Sequence, residues 1–172
     1  MNKSNNAMGI FGGNIRAIRE VKGKSCQSFA KDITYHRLDL ANLEYGEKDI
    51  KLSTAVKIAK RLDIPLPYLF SDIFISGYLP MNSKRRPTYT EDDFLAVFIQ
   101  NVKEYLGTRG SQETLCIETG MDSSNVSKIL NYKIKNPCIS TLDKMANGIG
   151  KDLSALLSRT EQMSLREQEG EK

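Results

Sequence analysis

The sequence predicts an all-α protein made of two five-helix units in tandem, and three observations carry that expectation. Residues 25–51 (SCQSFAKDITYHRLDLANLEYGEKDIK) and 111–137 (SQETLCIETGMDSSNVSKILNYKIKNP) repeat one pattern at an offset of 86. The flanks repeat at an offset of 87, so that Ile15, Ile18, Leu52, Ala55, Ala59 and Leu62 correspond to Val102, Tyr105, Ile139, Leu142, Ala146 and Ile149. In both copies the apolar residues recur at steps of three and four, the period of a helix with one buried face. Self-similarity at a fixed period defines architecture ahead of residue detail. The change from 86 to 87 places single-residue length differences in turns.

The first unit is expected over 8–72. Phe11, Ile15 and Ile18 give its first helix an apolar stripe, and Gly23 stops it. Ser25 is a good N-cap for a short second helix whose inward residues are Phe29, Ala30 and Ile33. Thr34, Tyr35 and His36 form a turn, with His36 read as a cap on the next helix rather than a metal ligand or base. That third helix, roughly 37–44, buries Leu40 and Leu43 and exposes Arg37, Leu38, Asp39, Ala41 and Asn42. Leu52, Ala55, Ala59 and Leu62 mark the fourth helix, Pro65 breaks the chain, and Tyr68, Leu69 and Phe70 finish a short fifth.

The second unit, 91–158, repeats this order. Thr90-Glu91-Asp92-Asp93 resembles a capping box with acidic residues in the first turn. The helix it starts is apolar on more than one face through Phe94, Leu95, Val97, Phe98, Ile99 and Val102, so its surplus apolar surface needs a second partner. Ser111 caps the next helix, Gly120 makes the turn, and another helix spans about 123–130. Ile139, Leu142, Ala146 and Ile149 mark the fourth helix of this unit, and Leu153, Leu156 and Leu157 the fifth. The connector 73–90 is apolar in its first half and basic in its second. The polar tail 159–172 has few apolar residues and is expected to be disordered.

Hydrophobic content of 40% and charged content of 27% are ordinary for a soluble globular protein. Units of this size have thin cores, which an interface between them would help. The longest apolar run, FLAVFI at 94–99, is too short to span a bilayer, and the N-terminal residues show no secretory signal, so the expected compartment is the cytoplasm. The net charge of +4 is unevenly placed: basic side chains prevail in 1–75 and in Lys84, Arg85 and Arg86, acidic ones in 91–158. A basic front half and connector suit phosphate attraction. Cys26, Cys116 and Cys138 lack metal or redox spacing and read as reduced thiols. With a single histidine, no nucleophile–base pair and no phosphate loop, nothing points to an enzyme, a metal, a cofactor or a small-molecule ligand.

The repeated stretches resemble the phage-repressor helix-turn-helix family (Cro/CI-type, XRE). That pattern runs Ser-Gln, an apolar-Ala pair, a Gly turn, a polar recognition helix, Glu-x-Gly and an Asn-Pro-Ser-like lead into the fourth helix. The first unit keeps Ser25, Phe29-Ala30 and Glu44-Tyr45-Gly46, and departs at Cys26, Thr34 and Ile50. The second keeps Ser111-Gln112, Gly120 and Asn136-Pro137, and departs at Cys116 and at Leu130-Asn131-Tyr132. The resemblance covers nearly all of 8–157 and implies two tandem lambda-repressor-like domains, all-α, each placing its third helix in a DNA groove.

Carried over by position, the resemblance implies base contacts from Arg37, Leu38 and Asn42 in the first unit and from Ser123, Ser124, Asn125 and Lys128 in the second, since the recognition helix enters the major groove by its N-terminal end. Arg suits guanine, Asn suits adenine, and Leu38 suits a thymine methyl. Gln112, Lys48, Lys133 and Lys135 are placed for phosphates, with Asn131 beside them. Asp39 would repel phosphate, so it either accepts from cytosine or pairs with a neighbouring basic group. Lys84, Arg85 and Arg86 would touch DNA between the half-sites. The resemblance also implies an ion pair between Arg19 and Glu44, replaced together by Leu106 and Leu130 in the second unit.

These readings lead to a sequence-specific, double-stranded DNA-binding transcriptional regulator, a repressor, with two non-identical reading heads. Homodimerisation would double that number. The alternative is an adaptor, or an antitoxin- or controller-like regulator, whose second domain mainly mediates assembly.

Overall fold

The computed structural model describes residues 6–72 and 93–159. Ten helices succeed one another among them: α1 (Ala7–Val21), α2 (Cys26–Asp32), α3 (Arg37–Glu44), α4 (Leu52–Leu62), α5 (Leu66–Leu69), α6 (Phe94–Arg109), α7 (Gln112–Thr119), α8 (Ser123–Leu130), α9 (Ile139–Gly148) and α10 (Leu153–Leu156). The fold is all-α, and no strand occurs among the described residues. The starts of α1, α4 and α5 recur 87 residues later as those of α6, α9 and α10. The starts of α2 and α3 recur 86 residues later. The connector 73–90 and all of the tail but Arg159 lie outside the described residues.

Local chemistry sets the helix ends. Ser25 accepts from the backbone N–H of Ser28, and Ser111 from that of Thr114, each satisfying a donor that the first turn leaves open. At the start of α6 the structure corrects the sequence expectation. Asp93 is the N-cap, accepting from Ala96 N, and no acidic residue lies in the first turn. Asp caps better than Thr, and the buried run begins immediately with Phe94; Thr90, Glu91 and Asp92 lie outside the described residues. His36 holds the N-cap position of α3, but its side chain makes no capping bond. Its counterpart Asp122 caps α8 by accepting from Ser124 N and Asn125 N.

Three turns take a left-handed residue in both copies, and each copy supplies glycine at different ones; a further one, at Gly23 (φ 60°), is left-handed in the first copy alone. Thr34 (φ 53°) corresponds to Gly120 (63°), Tyr132 (57°) to Gly46 (72°), and Asp63 (56°) to Gly150 (66°). The departures at Thr34 and Tyr132 thus change the side chain and keep the left-handed backbone.

One apolar cluster runs through both halves, from Phe11, Phe29 and Leu40 to Phe98, Leu115 and Ile129. The surplus apolar residues of α6 are all buried within the chain. Gly12 lets α1 approach α3 closely; a Cβ there would stand 2.0 Å from the carbonyl oxygen of Leu43. Ile99 takes that place in α6, whose approach to α8 is looser. Asn14 donates to the carbonyls of Leu69 (3.0 Å) and Ser71 (2.6 Å), tying α1 to the end of α5. Asn101 does the same for α6 and α10 through Leu156 and Ser158, both at 2.9 Å.

The halves meet across an exchange of equivalent residues. Lys51 forms an antiparallel bridge with Cys138, its own counterpart. Leu52 N donates to Pro137 O at 2.9 Å, and Ile139 N to Ile50 O at 2.8 Å. Lys51 and Cys138 are the N-caps of α4 and α9, and neither side chain makes a capping bond. The opposite half supplies the caps. Asn136 accepts from Ser53 N at 3.0 Å, and Asp49 accepts from Ser140 N at 3.1 Å. α5 packs on α10, and α1 on α9.

Candidate nucleic-acid interface

The N-terminal ends of α3 and α8 occupy equivalent places in the repeated framework. Leu40 and Leu43 anchor α3 in the core and Val126, Ile129 and Leu130 anchor α8, so the intervening positions face outward. Arg37, Leu38 and Asn42 are exposed, as are Ser123, Ser124, Asn125 and Lys128. Leu38 is 61% exposed, whereas the other leucines of α3, Leu40 and Leu43, are fully buried. The paired positions differ throughout: Arg37 with Ser123, Leu38 with Ser124, Asp39 with Asn125, Asn42 with Lys128.

The preceding helix is pinned to each of these ends by one bond in the same place. Cys26 Sγ donates to Arg37 O at 3.7 Å, and Gln112 Nε2 donates to Ser123 O at 3.4 Å. Gln112, expected to face a phosphate, thus spends part of its amide on orienting α8. Asn131 bonds back to Ser127 O (2.9 Å) and Ser127 Oγ (3.2 Å).

Asp39 pairs with Lys48 across the turn at the end of α3. The hydrogen bond to Lys48 holds the Asp39 carboxyl below its ordinary range and, in return, raises the Lys48 ammonium. Of the two alternatives for Asp39, the pairing with a neighbouring basic group is the one present. Lys48 is correspondingly half-exposed and engaged, whereas Lys133 and Lys135 are exposed. Lys84, Arg85 and Arg86 lie outside the described residues.

Sequence reasoning missed three features of this surface. Tyr45, 65% exposed just after α3, has the Arg16 guanidinium 5.4 Å from its ring centre and corresponds to Asn131. Asp122 fixes the first turn of α8. Glu113 in the first turn of α7 stands where α2 has Gln27, and Ile117 on the same helix is 74% exposed. The constant offset of 86 was the signal available for the first two.

Behind the surface, Arg19 and Glu44 form a two-pronged ion pair, Nε–Oε1 at 2.7 Å and Nη2–Oε2 at 2.9 Å, with Glu44 buried. Leu130 is buried, and Leu106 lies against the same apolar cluster. Among the described residues, no group of His, Cys, Asp and Glu could hold a metal ion, and no helix is long and apolar enough to cross a membrane. Comparison of the chain with protein-family models, curated proteins and solved structures finds no match.

Proposed function

We propose that the chain is a sequence-specific double-stranded DNA-binding regulator of the Cro/CI-type helix-turn-helix class, acting as a repressor in the cytoplasm, with α3 and α8 as its two reading helices. The observation that carries this reading is the repeated presentation: two short helices, each anchored by its apolar face and oriented by the helix before it, offer exposed N-terminal side chains of base-reading chemistry. Arg37 fits guanine N7 and O6, Asn42 and Asn125 fit adenine, and Leu38 fits a thymine methyl. Lys133 and Lys135 supply phosphate contacts that position without specifying.

A second reading makes the second half an assembly module, as in an adaptor or an antitoxin-like regulator. It draws on Glu113, which opposes phosphate at the start of α7, and on exposed Ile117. Selection of bound duplexes from a random pool by the whole chain separates the two. Two enriched motifs, one lost with Arg37→Ala and the other with Asn125→Ala, support two reading heads. A single motif insensitive to Asn125 supports the assembly role, and no enrichment removes the DNA-binding reading.

A further inference from the structure

The hydrogen bonds around the Lys51–Cys138 bridge have the form of a two-fold exchange, from which the packing of α1 on α9 departs, since its counterpart, α4 on α6, is slight. Lys51 pairs antiparallel with the residue 87 positions later, its own equivalent. Its flanking bonds, Leu52 N to Pro137 O and Ile139 N to Ile50 O, convert into one another when the copies are swapped. So do the two caps, Asn136 on Ser53 and Asp49 on Ser140, and so does the packing of α5 on α10. Repeats stacked head to tail join different patches of each copy. Only a two-fold joins a patch to itself, as in an isologous dimer interface. The axis therefore passes through the Lys51–Cys138 bridge.

A two-fold leaves any component along its axis unchanged and reverses the components across it. The reading ends of α3 and α8 consequently point the same way along the axis and run oppositely across it. The chain segments that join each reading helix to the bridge are of nearly equal length: Glu44 ends α3 seven residues before Lys51, and Leu130 ends α8 eight residues before Cys138. B-DNA has its own two-folds perpendicular to the helix, and heads related in this way meet half-sites on opposite strands.

We infer that one chain, as a monomer, binds two unequal half-sites in inverted orientation at one fixed spacing, an inference that rests on the DNA-binding reading above. The half-sites are unequal because every reading position differs between α3 and α8. The spacing is fixed because a shared apolar cluster, two backbone bonds and two side-chain caps lock the heads together. A second chain is not required, since the surface through which a copy would pair about this axis is already filled by the chain's other half.

The test uses the full chain and the half-sites that selection yields. These are placed in inverted, everted and direct arrangements, with spacing varied in single base pairs. Stoichiometry is read by native mass spectrometry at saturation. The expected result is one chain per duplex and a preference for inversion. A one-base-pair change of spacing, which turns a half-site by about 34°, should lower affinity about tenfold or more. Equal affinity for direct repeats, or two chains per duplex, overturns the inference and leaves sequence-selective DNA binding standing. Arg37→Ala should relax selection in one half-site and Asn125→Ala in the other; relaxation of the same half by both variants also overturns it. A folded chain with no sequence-selective binding removes both this inference and the reading beneath it.

Discussion

Asp49 caps a helix in the other half of the molecule: its carboxylate accepts from Ser140 N at 3.1 Å and from Ser140 Oγ at 2.6 Å. Asn136 does the reciprocal job at α4, accepting from Ser53 N at 3.0 Å and donating to Ser53 Oγ at 2.9 Å. A helix start without its cap leaves a backbone donor open, at about 0.5–2 kcal/mol. Asp49→Ala should therefore lower the unfolding free energy by about 1 kcal/mol, and Asn136→Ala by a similar amount. Urea unfolding of the parent and of the two single variants checks this.

Arg19 and Glu44 make a pair whose members differ in their fallback options. Arg19 keeps 17% of its side chain in solvent and also reaches Glu20 at 3.8 Å and the carbonyl of Lys24 at 3.2 Å. Glu44 keeps 5%, and no second cation bonds to it among the described residues. A buried charge stripped of its partner costs more than an apolar pair in the same place. Arg19→Leu should thus be the most damaging change, at about 2–4 kcal/mol. Glu44→Leu should cost less, and the double variant, which copies Leu106 and Leu130, least. Thermal unfolding of the three variants gives the order, and a double variant worse than Arg19→Leu would count against it.

Positive φ at a residue with a side chain is a local cost that the other copy shows how to remove. A left-handed conformation costs an L-residue about 1–2 kcal/mol, partly offset by the entropy that glycine loses on folding. Thr34→Gly and Tyr132→Gly should each stabilise by up to about 1 kcal/mol. Asp63→Gly should gain less, since Asp tolerates this region. In the reverse direction, Gly46→Ala should cost more than Gly120→Ala. A Cβ at Gly46 meets the Cα of Gly9 at 2.9 Å, while nothing lies within 4 Å of one at Gly120. Chemical denaturation midpoints decide both orders.

Asp143 of α9 accepts from the backbone N–H of Ala7 at 3.1 Å across the interface, yet burial pushes its carboxyl above the ordinary range, outweighing that bond. The sign of the pH effect is set by proton binding. Between the unfolded and the raised folded pKa, the folded chain binds more protons than the unfolded one, so this group's contribution to stability falls as pH rises through that window. Above the window the penalty is constant. Asp143→Asn keeps an acceptor oxygen and removes the charge. The stability difference between variant and parent should grow in the variant's favour as pH rises from the ordinary carboxylate value, then level off. A difference curve independent of pH in acid would contradict this.

Helix order and α3 and α8 at their observed bounds were legible in the sequence, and the Arg19–Glu44 pair was what the family resemblance implied. Apolar spacing and capping are local signals, and the repeat lets each copy check the other. The cross-caps were not legible. Asp49 looks like an ordinary loop residue and Asn136 like part of the lead into its own half's fourth helix, whereas their partners lie 91 and 83 positions away in the chain. Lys48 read as a free cation because its ion pair crosses a turn whose geometry the sequence does not show. Asn14 and Asn101 were overlooked although a signal existed: the same polar residue sits in the apolar stripe of both first helices, 87 positions apart.

The Asp39–Lys48 pair also separates the cations near the reading surface into two kinds. A lysine that neutralises a phosphate adds about 0.9 to the slope of log affinity against log salt. Lys133 is exposed and forms no ion pair among the described residues, so Lys133→Ala should weaken binding to all duplexes and reduce the slope by about that amount. Lys48→Ala should act differently, not by losing a phosphate contact but by leaving the Asp39 carboxylate, which its amine now answers, without a partner beside the proposed reading helix. Asp39→Asn in the same background should recover most of what Lys48→Ala loses. Arg37→Ala should behave differently from all three. It leaves the framework intact and removes the two-pronged base contact proposed for Arg37, so it should cost about 1–3 kcal/mol on the preferred duplex and little on duplexes altered at that base. Titrations of each variant at several salt concentrations, on the preferred duplex and on single-base variants, measure both quantities. Equal weakening on every duplex by Arg37→Ala would reduce Arg37 to a phosphate contact, and with it the base-reading role assigned to the start of α3.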